Sequence, residues 1–271
     1  VSKLADIYGR KLVMLIGVVI FGIFSFACMV ADSLLLLIIF RFFQGIGGAI
    51  LTPIVLPMGI ELLGKENTSR ITAIMGAFSA LAAAGGPVIG GLIVHWTTYH
   101  WIFGINVPIA IIAFLMILVG TKESYDLKIS KNIDWLGIIF LTCTLGGLIF
   151  GLLEGHEYGW GSQTIIASFV ISVVGLFFLF LTERRVKSPV IDLKLFKEST
   201  FTSSNLIYMI FGFAIIVPSL ILNYFLQNVR NYSALHSAYL IIPTSLAIVV
   251  GIPLATRMYQ KISARLLISI G

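Results

Sequence analysis

The stretch LADIYGRK, residues 4–11, carries three charged side chains that could form and break ion pairs. When Asp6 is ionised, it accepts hydrogen bonds and donates none. Arg10 and Lys11 are donors that can pair with Asp6 or with a lipid phosphate. Gly9 permits a tight turn, and Asp6 can lie near a helix N-terminus, where negative charge is favoured. An ordinary charged loop has the same composition. The rest of the chain must decide between such a loop and a cluster whose ion pairs form and break as part of a function.

Arg41, in the stretch RFFQGIGGA, is a charged residue inside a long apolar run. It lies about seven residues into the run 34–60, which is roughly 10 Å from that end of a helix. A charge at this depth of a bilayer is costly unless water or a partner group meets it. One interpretation is that the side chain reaches back to the membrane surface. Gln44, one turn later, favours a crowded polar face turned toward other helices, as do the glycines Gly45, Gly47 and Gly48.

Residues 79–91, SALAAAGGPVIGG, contain small side chains at helical spacing. At about 100° per residue, four of them form a smooth stripe that lets another helix approach closely. They are Ser79, Ala83, Gly86 and Gly90. Pro87 has no N–H, so it interrupts the hydrogen-bond ladder next to Gly86. A simple packing face between helices has the same composition, and that alternative stays open.

The composition shows which elements must position these residues. The chain is 58% hydrophobic and only 11% charged, whereas soluble domains carry about 25% charged residues. So little polarity could not cover the surface of a soluble fold of 271 residues. The apolar runs are continuous and about 20 residues long, which predicts helices rather than the alternating strands of a β-barrel. The predicted fold class is therefore an all-α polytopic membrane protein.

Eight apolar runs are long enough to cross a bilayer at about 1.5 Å per residue. They are approximately 12–31, 34–60, 71–94, 101–120, 135–153, 164–182, 203–226 and 236–256. Residues 1–5 would end an earlier span, and residues 266–271 would begin a later one. We therefore expect a piece of a longer polytopic protein that is truncated at both ends and retains eight full spans.

The basic residues are distributed very unequally between the connections of these spans. Of the 18 Lys and Arg residues, 16 fall in connections on one side, which are 1–11, 61–70, 121–134, 183–202 and 257–265. Only Arg230 falls in the opposite connections, and Arg41 lies within a span. Because positive charge is retained on the cytoplasmic side, these five connections are predicted to be cytoplasmic. The net charge of +6 is explained in this way without a nucleic-acid partner.

The residues of a metal site, a cofactor site or an enzyme are not visible in the sequence. Cys28 and Cys143 both fall inside apolar runs and lack the spacing of a zinc site or a disulfide framework. The sequence has no H-E-x-x-H motif, no G-x-S-x-G motif and no paired acids within a span. We expect no cofactor and no metal, and a membrane-embedded enzyme is a remote alternative.

Taken in order, the first two stretches resemble motifs of the major facilitator superfamily. Residues 2–11 match its loop motif G-x-L-A-D-x-x-G-R-K, except that Ser2 stands where the first glycine is usual. Arg41, Gln44 and Gly45 match the motif R-x-x-Q-G of its fourth core helix.

Two further motifs extend the resemblance. The antiporter signature G-P-x-x-G-G of the fifth core helix is matched by Gly86, Pro87, Gly90 and Gly91, with Ala82 in place of a leading glycine. The stretch HWIFGINVP, residues 100–108, resembles the family motif W-R-W-I-F-x-I-N-x-P, with Tyr99 and His100 in place of W-R.

The number of spans resembles one branch of this family. Residues 254–262, LATRMYQKI, weakly resemble LADIYGRKL, which fits the parallel repeat of the two halves. Members with twelve helices have six spans between these two loops, whereas eight are predicted here. Two inserted helices, near 135–153 and 164–182, resemble the fourteen-helix drug:H+ antiporters of the EmrB/QacA type. The sequences IDWLG at 133–137 and ERRVKSPVIDLKLF at 183–196 also resemble that branch.

This resemblance implies a domain organisation. Residues 1–120 would form part of an N-terminal six-helix bundle. Residues 121–200 would contain the two inserted helices and their linkers, and residues 201–271 would start a C-terminal six-helix bundle.

The resemblance also implies a transporter that alternates access to a central cavity by rocking its two halves. Asp6, Gly9, Arg10 and Lys11 would form a cytoplasmic gate, in which Asp6 faces the second half and releases it when the cavity opens inward.

Two other sets of residues have implied roles in that cavity. Arg41 would face the cavity with Gln44 and Gly45 and assist proton coupling. The stretch around Gly86 and Pro87 would set the bend of a cavity-lining helix and limit leak.

The implied cargo is a drug or another amphipathic compound, exported across the plasma or inner membrane in exchange for protons. The alternative keeps the fold and changes the cargo to a lipid, peptide, siderophore or cell-envelope metabolite. No acidic residue lies near the middle of a predicted span, so the sequence identifies no proton-binding carboxylate. It also does not indicate whether an adaptor protein of the cell envelope takes part.

Overall fold

Helices form nearly all of the regular structure. A computed structural model describes residues 2–125, 134–186, 189–259 and 266. Its α-helices are α1 (Ser2–Tyr8), α2 (Arg10–Met29), α3 (Leu34–Leu63), α4 (Thr68–Trp96), α5 (Trp101–Gly104), α6 (Asn106–Gly120), α7 (Trp135–Tyr158), α8 (Gln163–Glu183), α9 (Ser199–Tyr224) and α10 (Ala234–Tyr259). A π-helical turn, Phe225–Val229, follows α9.

Some of the sequence predictions fall on residues outside these ranges. They concern 126–133 of the connection 121–134 with Ile133 of IDWLG, 187–188 of the connection after α8, 260–265 of the weak repeat and its connection, and 267–271 of the predicted last span. The side chains of Ala83 and Pro87 also lie outside the described part.

Six segments within the described ranges are long and apolar enough to cross a membrane. They are Arg10–Met29, Leu34–Leu63, Trp101–Gly120, Trp135–Tyr158, Gln163–Glu183 and Ser199–Val229. Each coincides with a predicted span to within about five residues, so the all-α polytopic membrane fold is confirmed. The other two predicted spans are helical as α4 and α10, but these helices are not among the six, and their crossing of the membrane stays a prediction.

The run 101–120 is broken where a single continuous helix was expected. It forms the short α5 and then α6, with Ile105 between them. The physical reason is Pro108. In a continuous helix residue 108 would donate its N–H to the carbonyl of Gly104, and proline has no N–H to donate. Gly104 is buried, and a Cβ at this position would lie 2.8 Å from the sulfur of Met29. The break therefore occurs where the chain passes closely over the end of α2.

The first of two compact units contains Val1–Ile129 and Ser219–Gly271. In this unit α2 packs against both α3 and α6, and α10 packs along α4. Val18 of α2 lies in a buried cluster with two residues of α6, Ala110 and Ile117. This packing fixes α2 between its neighbours, which matters because α2 begins with the candidate residues Arg10 and Lys11 and contacts the candidate residue Gln44 through Ser25.

The second compact unit, Ser130–Pro218, is built on the hairpin of α7 and α8. Small residues let these two helices approach closely. A Cβ at Gly147 would lie 2.5 Å from the carbonyl oxygen of Ser168. The hydroxyl of Ser172 donates to the carbonyl of Thr144 at 2.7 Å, which joins the two helices.

Candidate functional site

The turn between α1 and α2 has a conformation that only glycine adopts without strain. Gly9 has a φ of 109°, in the positive region that other residues avoid. A Cβ on Gly9 would also lie 2.5 Å from a carboxylate oxygen of Glu123. The predicted tight turn is present, and it is closed on one side by a residue from the segment after α6.

Three charged side chains meet beside this turn. The Arg10 guanidinium donates to a carboxylate oxygen of Asp6 at 2.7 Å, across the turn. Its other arm lies 3.1 Å from a carboxylate oxygen of Glu61, near the end of α3. The side chains of Arg10 and Asp6 are 20% and 15% exposed, whereas Glu61 is 44% exposed. Arg10 therefore bridges two carboxylates at a site that is partly shielded from solvent.

Sequence reasoning missed the part played by Glu61. This residue is 51 positions from Arg10 in the sequence, and hydrophobic periodicity does not predict which helix ends meet. The signal that could have found it is its place at the inner end of the predicted span 34–60, on the side where basic residues accumulate.

The Lys11 side chain donates to the end of α6 and not to Asp6 in the described part of the chain. Its amino group donates to the carbonyl oxygens of Leu118 and Thr121 at 2.7 and 2.8 Å. In the opposite direction, Glu123 accepts the backbone N–H groups of Lys11 and Leu12 at 2.9 and 3.2 Å. The structure thus places Asp6, Gly9, Arg10 and Lys11 around one turn, and adds two acids that the sequence motif does not contain, Glu61 and Glu123.

A second cluster surrounds Arg41. Its guanidinium donates to the side-chain oxygen of Gln44 at 2.8 Å and lies 5.3 Å from the ring centroid of Phe103. Gln44 is 2% exposed, and its amide donates a short hydrogen bond to the hydroxyl of Ser25 on α2. Arg41 is therefore held by a neutral amide and an aromatic ring, and among the described residues no carboxylate pairs with it.

Gly45, the third residue of this motif, has open space around it. A Cβ at Gly45 would meet no heavy atom within 4 Å, whereas one at Gly47 would lie 2.6 Å from the backbone nitrogen of Phe21. The close approach of α3 to α2 thus depends on Gly47. Arg41 and Glu61 lie 20 residues apart on α3, which corresponds to about 30 Å of helix, so the two clusters occupy opposite ends of α3.

The antiporter motif lies in the second half of α4. The helix continues through Pro87 to Trp96, so the expected interruption does not end it. Among the described residues, no atom lies within 4 Å of a Cβ built at Gly86 or Gly90. Gly90 and Gly91 line a cavity of about 180 Å³ together with the amide side chains of Asn223 and Gln227.

Comparison with known proteins identifies the family to which this chain belongs. The sequence profile of the Major Facilitator Superfamily matches residues 1–136, which is half of the chain. The chain belongs to the major facilitator superfamily. Membership in this family of membrane transporters sets aside the enzyme alternative.

Curated relatives of this superfamily chain include several bacterial resistance proteins. Multidrug resistance protein 3 of Bacillus subtilis is 34% identical over 97% of this chain and 52% of its own length. Multidrug resistance protein Stp of Mycobacterium tuberculosis is 32% identical over 100% of this chain and 50% of its own length. The tetracenomycin C resistance and export protein of Streptomyces glaucescens is 26% identical over 94% of this chain and 47% of its own length. The chain thus spans about half the length of the relatives that it matches.

Proposed function

We propose that the complete protein exports drugs or other amphipathic compounds in exchange for protons, by alternating access of a central cavity. The observation that carries the proposal is the bridge that Arg10 makes between Asp6 and Glu61 in a chain of this superfamily. The names of its relatives, which refer to multidrug resistance and to export, support the choice of cargo.

The cytoplasmic gate is formed by Asp6, Gly9, Arg10 and Lys11. Partly exposed ion pairs are individually worth no more than about 1 kcal/mol. Such pairs can hold helix ends in register in one state and exchange partners in another at little cost. This property suits a gate that must open in every transport cycle, whereas a deeply buried ion pair would resist opening.

Arg41, Gln44 and Gly45 belong to the central cavity in this proposal. Gln44 and Phe103 hold the Arg41 guanidinium in place, and its charge has no carboxylate partner in the part of the chain that the structure describes. A fixed positive charge favours the ionised form of a carboxylate that approaches it, and so promotes proton release. The stretch with Gly86, Pro87, Gly90 and Gly91 shapes the cavity-lining helix α4 and limits leak.

We also propose a location in the cell and a domain organisation for the protein. It lies in the plasma or inner membrane, with the loops 1–11, 61–70, 121–134, 183–202 and 257–265 in the cytoplasm. Residues 1–120, 121–200 and 201–271 belong to the N-terminal bundle, the inserted helices and the C-terminal bundle.

The proposal is tested by transport in the full-length protein. It is expressed in a bacterium that lacks its own drug pumps, the cells are loaded with ethidium, and efflux is followed with and without a protonophore. We expect efflux that the protonophore abolishes. We also expect Arg41→Ala to reduce efflux by at least about tenfold, because it removes the fixed charge of the cavity.

A matched control is Arg184→Ala, since Arg184 also stacks on an aromatic ring, that of Phe180 at 4.0 Å, but lies at the end of α8. It should retain efflux. Efflux that survives the protonophore would refute proton coupling. Absence of efflux despite normal membrane expression would refute drug export and favour a lipid, peptide, siderophore or envelope metabolite as the cargo.

A further inference from the structure

The first turn of α2 has its hydrogen-bond donors satisfied from outside the helix. The leading N–H groups of an α-helix have no partner within the helix and require acceptors from elsewhere. The N–H of Arg10 donates to the carbonyl of Ser124 at 3.0 Å. The N–H groups of Lys11 and Leu12 donate to the two carboxylate oxygens of Glu123. Two consecutive residues after α6 thus cap three consecutive donors of α2.

The end of α6 is capped from α2 in return. The last carbonyl groups of a helix also lack partners within it. Lys11 supplies donors to the carbonyls of Leu118 and Thr121. A carboxylate at a helix N-terminus and an ammonium at a helix C-terminus are both favoured by the helix dipole. Lys11 and Glu123 therefore stabilise each other's helix end, and we call this pair with its contacts the reciprocal cap.

The reciprocal cap also explains why the turn needs glycine at Gly9. The three atoms nearest to a Cβ at this position all belong to the Glu123 carboxylate, at 2.5, 2.6 and 3.0 Å. A side chain there would displace Glu123 from the N-terminus of α2. The requirement for glycine thus has two parts, namely the positive φ of the backbone and the space that Glu123 occupies.

We infer that Glu123 is a positioning residue of the cytoplasmic gate. Through the reciprocal cap it fixes the start of α2, and thereby holds Arg10 where it bridges Asp6 and Glu61. Glu123 itself contacts neither of those acids in the hydrogen bonds of the described residues. The gate role rests on the proposed function, whereas the capping role concerns the chain alone.

The reciprocal cap has a consequence for the transport cycle. Its contacts are short, several of them are charge-assisted, and they join helix ends that already pack along their length. The bridge made by Arg10 is more exposed on the side of Glu61. We therefore expect α2 and α6 to move as one body, while the partners of Arg10 change between states.

The capping role is tested by hydrogen exchange of the full-length protein in nanodiscs, resolved to single amides by fragmentation of the labelled peptides. In Glu123→Ala the amides of Lys11 and Leu12 should exchange at least about tenfold faster, because each loses a charged acceptor. Glu123→Gln keeps an acceptor and the side-chain length, so it should give a smaller increase at the same two amides. The matched control is Glu66→Gln, a carboxylate on another predicted cytoplasmic connection.

The positioning role is tested by ethidium efflux in the same variants. Glu123→Ala and Lys11→Ala should each slow efflux, and the double variant should be no slower than the worse single variant, because both remove one coupled unit. Normal efflux in Glu123→Ala would overturn the positioning role. Unchanged exchange at Lys11 and Leu12, or equally faster exchange throughout α2, α3 and α6 in both Glu123 variants, would overturn the reciprocal cap. Failure of the wild type to export ethidium would refute the proposed function, and the exchange experiment would then decide on the cap by itself.

Discussion

Two arginines in motif positions have different kinds of partners. Arg10 lies between the carboxylates of Asp6 and Glu61, so its charge is compensated locally. Arg41 contacts the neutral side chains of Gln44 and Phe103. A compensated arginine favours a stable contact between helix ends, whereas an uncompensated one attracts an anion or a carboxylate. The two residues therefore suit a gate and a cavity, respectively.

Phe103 should contribute to the function of Arg41 although it carries no charge. A guanidinium over an aromatic face gains about 0.5–1 kcal/mol at an exposed site. We predict that Phe103→Leu lowers ethidium efflux by about two- to fivefold while membrane expression stays normal. The control is Phe42→Leu, which changes an exposed phenylalanine next to Arg41 that packs edge-on against Phe43. Equal efflux in the two variants would contradict a role for the ring.

The motif residues could be predicted from the sequence, but most of their partners could not. The position of Asp6, Gly9, Arg10 and Lys11 at one turn follows from a local pattern. The contact between Glu123 and Lys11 joins residues 112 positions apart, and it depends on how α2 and α6 are rotated about their axes. Hydrophobic periodicity fixes which face of a helix is apolar, not which polar groups meet at its ends.

Helix packing in the first unit depends on one glycine of α3 more than on its neighbours. A Cβ at Gly47 would lie 2.6 Å from the backbone nitrogen of Phe21 and 2.9 Å from the carbonyl oxygen of Gly17. At Gly48 the nearest atoms are ring carbons of Phe21 at 3.9 and 4.0 Å, which is an ordinary contact. The glycine cluster thus contains one residue of close approach, and the sequence alone could not tell which one.

We predict that Gly47→Ala destabilises the protein and that Gly48→Ala does not. The added methyl group at residue 47 meets backbone atoms that cannot move aside, which costs about 1–3 kcal/mol. At residue 48 the better helix propensity of alanine is gained without a clash. Thermal unfolding of the full-length protein in detergent should show a lower midpoint for Gly47→Ala only. Identical melting of the two variants would mean that α2 and α3 do not approach at Gly47.

The boundaries of the helices were more predictable than their contacts. Length and apolarity placed α2, α3, α7 and α8 to within about five residues, because a membrane span requires a continuous apolar run. The break at Ile105 was not predicted, although Pro108 provided its signal. The run 101–120 is apolar throughout, and apolarity by itself does not reveal the loss of one backbone hydrogen bond.

At the scale of the whole molecule, charge distribution and hairpin topology predict one orientation in the membrane. The predicted cytoplasmic connections hold 16 of the 18 basic residues, and the connection 183–202 holds five of them. We expect the helices α7 and α8 to cross as a pair, in which case their two crossings return the chain to the side from which it came. The orientation of α9 should therefore not depend on this pair.

This independence can be measured with reporter fusions in a bacterial host. Alkaline phosphatase is active only outside the cytoplasm, and we predict high activity when it is fused after Tyr232. Removal of residues 135–182 should leave that activity high, because an even number of crossings is lost and the basic connection before α9 is retained. A fusion after Lys197 serves as the cytoplasmic control and should be inactive with or without the deletion. If the deletion lowered the Tyr232 fusion to the level of this control, α7 and α8 would not be a transmembrane pair.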